Sequence, residues 1–211
     1  MNGNIENEAP AKKEGAEAIG LKQKLKSFWK INSDTVSKLY VHQFGLTVFG
    51  MLLYQAASVS KNVPLVIGLG IFSTVFYLFL LYVLAWDVGA KDKIKIDGGR
   101  LQLDPVKGAK FAFAGMIPNL FIAVLAFIGF IFKTAVGADW AIGLYGVAQL
   151  VGVYLNAMYL GIGDVTGIAY QPYYLFVICI PAIAVCGVGY RLGVKEKFGV
   201  LTSNGKGRKN R

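Results

Sequence analysis

From residue 38 to about residue 192 the chain is almost entirely apolar, broken by one charged stretch, 87–110, and by several short gaps. Crossing the hydrocarbon core of a bilayer takes roughly 20 apolar residues in a helix. Four stretches have that length and flanking charge: 39–57, 64–86, 111–132 and 173–190. A fifth, 140–163, has the length but no positive charge after it. The pattern predicts an all-α integral membrane protein. It has four transmembrane helices and a fifth apolar helix that is re-entrant or interfacial, with five full spans as the alternative.

The polar segments organise the rest. Residues 1–20 lack an apolar period and are predicted to be disordered. In 21–31, Leu21, Leu25 and Phe28 repeat at helical spacing with Trp29 beside them, while Lys22, Lys24, Lys26 and Lys30 take the other side. This predicts a short amphipathic helix on the membrane surface. Asn32, Ser33 and Asp34 then offer N-caps for the first span. The membrane domain runs over 34–192, and 193–211 is a basic cytoplasmic tail. Inside the charged stretch, 93–97 and 100–104 alternate polar and apolar residues around Gly98 and Gly99. Two glycines suit the positive φ of a two-residue turn, so a small cytoplasmic β-hairpin is expected at 93–104. Within 111–132, Pro118 frees a carbonyl that the neighbouring Asn119 is placed to satisfy.

Charge decides the predicted topology. If 140–163 does not cross, 20 of the 22 Lys and Arg residues fall on one side; if it crosses, the split is 13 to nine. The positive-inside rule favours the first arrangement, with both termini cytoplasmic. The absence of an Asn-x-Ser/Thr sequon counts against a glycosylated secreted face, and the expected location is the plasma membrane of a prokaryote. The net charge of +10 comes from lysines that flank apolar runs. Anionic headgroups account for them without nucleic acid.

Within 140–163, Tyr145, Gln149, Gly152, Asn156, Tyr159 and Gly163 are spaced four, three, four, three and four, one stripe on a helix. Such a stripe packs against other helices, lies at the interface, or lines an aqueous path. A weaker stripe, Gln43, Thr47, Gly50 and Tyr54, marks the first span. At the cytoplasmic boundary Asp87, Lys91, Asp92 and Lys93 form a second candidate, a contact for a headgroup or a partner. No catalytic, cofactor-binding or metal-ligating set emerges. The spans carry no Asp, Glu, Lys or Arg, and Cys179 and Cys186 share a face as packing residues. The expectation is a non-enzymatic accessory or assembly subunit that meets a protein partner or a second copy of itself. A transport component not coupled to protons is the first alternative, and a membrane enzyme acting on a lipid headgroup the second.

Overall fold

The computed structural model describes residues 8–195. Its helices are α1 (Glu8–Val59), α2 (Val63–Asp97), α3 (Lys107–Val136), α4 (Asp139–Leu155), α5 (Leu160–Val165), α6 (Tyr174–Val177) and α7 (Cys179–Val194). Single 3-10 turns occupy Ala157–Tyr159 and Ile168–Tyr170. Three helical segments are long and apolar enough to cross a membrane: α2, α3 and Tyr174–Val194. A fourth would be α4 together with Ala157–Val165, a pair bent by 79°. The apolar half of α1 is not among them; it carries His42, Gln43, Thr47, Tyr54 and Gln55.

The first correction concerns α1. The backbone is helical from Glu8 onward and does not break at 32–34. Alanines 9, 11, 16 and 18 stand among Glu and Lys, all strong helix formers, so a helix forms over 8–20 where a disordered tail was expected. The segment 21–31 is likewise a part of α1 rather than a separate helix. Asn32 does not cap: it is buried, and its Nδ2 donates to the Phe28 carbonyl one turn back. The expectations for residues 1–7 and for the tail beyond 195 lie outside the described residues.

The second correction removes the hairpin. Residues 93–97 are the last turns of α2, held by i,i+4 ion pairs, Lys91 with Asp87 and Lys93 with Asp97. Gly99 does adopt positive φ, 68°, but it ends a helix. Its N–H donates to the Ile96 carbonyl and that of Arg100 to the Lys95 carbonyl, the paired bonds of a Schellman stop. A glycine pair fits either turn, and α2's length decided between them. Ile94 and Leu103, predicted to share a covered face, are both exposed.

Three helix ends, those of α2, α3 and α7, meet at the charged end of the bundle beside the middle of α1. There α7 lies between α2 and α3 and packs extensively on both. The approach depends on glycine. A Cβ on Gly89 would sit 2.3 Å from the Tyr190 carbonyl oxygen, and one on Gly193 would sit 2.2 Å from that of Trp86. Small residues at such crossings let backbones touch where lipid offers no hydrophobic drive for association. Pro118 lies inside α3 and leaves the Ala114 carbonyl without its intrahelical donor. Tyr40 of α1 donates its hydroxyl there, at 3.1 Å. Asn119 does not serve that carbonyl; it faces Asn156 instead.

Candidate functional site

The six stripe residues all face the protein's own chain. Tyr145 donates its hydroxyl to the Tyr170 carbonyl at 2.9 Å. Gln149 Nε2 donates to the Ala169 carbonyl at 2.6 Å and to that of Gln171 at 3.3 Å. Gly152 takes the Leu175 side chain, whose Cδ1 would lie 2.4 Å from a Cβ. Asn156 Nδ2 donates to the Gly152 carbonyl at 2.9 Å, and its amide exchanges longer contacts of 3.4 Å with that of Asn119. Tyr159 stands edge-on to Tyr77, ring centroids 5.7 Å apart, and Gly163 lies against the Tyr174 hydroxyl.

The stripe does not run along one rod, because the helix breaks at Asn156. Tyr159 N–H bonds the Asn156 carbonyl, which strands the Leu155 carbonyl. Thr47 of α1 donates its hydroxyl to that carbonyl at 2.6 Å, and Thr74 of α2 donates to the Met158 carbonyl at 3.0 Å. Buried carbonyls must find donors, and two threonine hydroxyls supply them. Gly50 of α1 admits the Met158 backbone, and Gly70 of α2 admits Gly161. Tyr54 donates its hydroxyl to Asp164 at 2.8 Å. The weaker stripe of the first span therefore meets the broken helix through Thr47, Gly50 and Tyr54. After the break the chain comes back to the end it left, since Tyr170 bonds Tyr145.

At the charged end, α1 and α2 enclose a cleft of about 530 Å³. Asp87, Lys91 and Asp92 line it, as do Asp34, Lys38, Lys95 and Lys107; Lys93 does not. Asp92 is the anchor of this end. Its side chain is 4% exposed, and its Oδ2 takes the Lys107 ammonium at 2.5 Å and the Tyr190 hydroxyl at 3.1 Å. One carboxylate thus ties α2, α3 and α7. Lys38 pairs with Asp34, which raises its pKa, and Lys91 pairs with Asp87. Nearby, Asp104 accepts the Lys110 ammonium at 2.7 Å and the Val106 N–H. Partial burial pushes its pKa up, but the Lys110 bond, the Val106 N–H and the lysine charges outweigh that and hold it below the ordinary value. His42 Nδ1 lies 2.7 Å from the Lys38 carbonyl, so that nitrogen carries a proton, because a carbonyl only accepts.

Every lysine lining this cleft has a carboxylate partner, but Lys95 and Lys107 share Asp92, so four ammonium groups face three carboxylates. Among the described residues no group of His, Cys, Asp or Glu is placed to hold a metal ion. Sequence reasoning reached Asp92 but missed Lys107 and Tyr190, which lie 15 and 98 positions away and share no periodic pattern with it. No protein-family model, curated protein or solved structure matches the chain.

Proposed function

We propose that this protein is a non-enzymatic membrane subunit that acts by association, as an accessory or assembly component. The observation that carries the reading is the use made of the polar residues in the apolar region. Thr47, Thr74, Asn119, Gln149 and Asn156 all bond the protein's own chain around the break. They brace a rigid fold, and neither a substrate path nor a nucleophile beside a base is assembled from them. The outer faces are abundantly apolar: no more than 39% of any spanning window is buried within the protein. Lipid and partner helices are what such faces meet.

In the proposed arrangement α1 (39–57), α2, α3 and α7 cross, and α4 with α5 enters and leaves through one leaflet. The 11 helical steps from Tyr145 to Asn156 rise about 16 Å. That is about half of a hydrocarbon core of ~30 Å. The charged end is cytoplasmic by the positive-inside rule.

Two experiments test this. Single cysteines at Lys61, Lys91 and Thr166, in a background with Cys179 and Cys186 replaced by alanine, report sidedness with an impermeant thiol reagent. Labelling of Lys61→Cys and Thr166→Cys from one side, and of Lys91→Cys from the other, is expected. Labelling of Thr166→Cys with Lys91→Cys would establish five spans. Extraction in mild detergent at native abundance should give an assembly larger than the monomer, of fixed stoichiometry. A lone monomer would overturn the subunit reading.

A further inference from the structure

At the opposite end, α1, α4 and α5 border a second cavity of about 350 Å³. That is near the lower limit for small-molecule sites, roughly 300–1,000 Å³. Its lining includes Tyr54, Tyr145, Tyr154 and Tyr170, with one formal charge, the carboxylate of Asp164, and the amide of Gln149. The carboxylate is fixed from both sides. Oδ2 accepts the Tyr54 hydroxyl and Oδ1 the Tyr170 hydroxyl. Each oxygen keeps a further lone pair.

Gln149 is 8% exposed, and its Oε1 is buried without a hydrogen-bond partner. The amide orientation is forced, because Nε2 faces the carbonyls of Ala169 and Gln171 and only a donor can face two acceptors. A buried acceptor left unpaired is costly. Oε1 is fully enclosed, however, so a ligand in the open cavity meets Asp164 and not this oxygen.

We propose that this cavity binds an organic ammonium group that carries N–H, a primary amine. Four electron-rich rings and one anchored carboxylate are complementary to such a cation and to no anion. Aromatic faces attract cations, and Tyr145 already holds one, the Lys133 ammonium 5.2 Å from its ring centroid. Lys133 does not line the cavity. The free lone pairs of Asp164 separate a primary ammonium from a quaternary one, which has no N–H to give them. The ammonium could belong to a free amine or to an ethanolamine headgroup. The site stands apart from the subunit role and does not depend on it.

The test is calorimetric titration of the full chain in nanodiscs of phosphatidylglycerol with ethanolamine, its neutral counterpart ethylene glycol, and tetramethylammonium. Ethanolamine is expected to bind at least tenfold more tightly than either. Asp164→Asn should weaken ethanolamine binding tenfold or more, while the elution profile reports folding. Repeating the titration in phosphatidylethanolamine nanodiscs separates the sources. An occupying headgroup reduces the apparent affinity for free ethanolamine, whereas unchanged affinity assigns the cavity to a soluble amine. Equal binding of ethanolamine and ethylene glycol, or no binding of ethanolamine at all, refutes the proposal on the native protein.

Discussion

Removing the charge of Asp92 should loosen the whole charged end. Asp92 and Lys107 have side chains 4% and 13% exposed and meet at 2.5 Å. Deleting one partner of such a pair strands the other charge at a cost of about 3–5 kcal/mol. Lys107 keeps some access to water, which places Asp92→Asn near the lower figure, about 3 kcal/mol by the same rule. Lys95 adds little. It lies 3.6 Å away with a side chain 60% exposed, and exposed pairs are worth less than about 1 kcal/mol. Lys107→Met strands the more deeply buried carboxylate with the Tyr190 hydroxyl still donating to it, and should also cost about 3 kcal/mol. The double variant removes both charges together, so its cost should fall short of the sum by at least ~1.5 kcal/mol, within the range for residues in contact. Unfolding by sodium dodecyl sulfate in mixed micelles, followed by circular dichroism, gives the three values. Additivity within about 0.5 kcal/mol would show that the two groups do not act as a buried pair.

Gly193→Ala places a Cβ 2.2 Å from the Trp86 carbonyl, backbone that cannot swing aside, so the same assay should register a loss of about 3 kcal/mol, the upper end for overpacking. A cysteine at Asn156 should resist water-soluble thiol reagents that label Lys61→Cys, because the position is buried against the chain; ready labelling there would favour the transport alternative. Asp104 has a depressed folded pKa, so its contribution is present above the unfolded value, about 4, and fades as pH falls through the lower folded one. Protection against hydrogen exchange over 98–106, taken relative to the intrinsic rate at each pH, should therefore fall as pH drops below about 4, and Asp104→Asn should abolish that dependence. Tyr170, in the turn after α5, has its pKa raised to about 12, first by its bond to Asp164 and then by burial. Its contribution is complete below the unfolded value of 10.0 and is lost as pH rises towards 12. The difference in tyrosinate absorbance between native protein and Tyr170→Phe should titrate in that window and move down in Asp164→Asn.

The apolar runs and the stripe were legible because both are local repeats. Run length alone gave α2, α3 and the last span. The spacing of Tyr145, Gln149, Gly152 and Asn156 marked the face that packs inward, and Thr47, Gly50 and Tyr54 marked its counterpart. The break at Asn156 was not legible, since neither glycine nor proline stands there. It is held because Thr47 and Thr74, more than 80 residues away in sequence, donate their hydroxyls to the Leu155 and Met158 carbonyls. The hairpin failed for the opposite reason. Alternation over five residues was read as a strand, but α2 reaches Asp97 with ion pairs at helical spacing, and the glycines only stop it. Tyr40 shows the same limit, because nothing near it in sequence signals a carbonyl freed 74 positions away.

The place of α7 between α2 and α3 bears on how the molecule is made. During synthesis α2 and α3 leave the ribosome as neighbours, but the slot between them belongs to the last helix. Until residues 179–194 arrive, Gly89 and Gly108 have no backbone against them and Asp92 lacks Tyr190. The early helices must then wait in the membrane with a seam held open, and the seam closes only when the chain is nearly finished. A product that stops before α7 would carry that open seam into the bilayer, which gives quality-control proteases a physical feature by which to tell it from the complete protein.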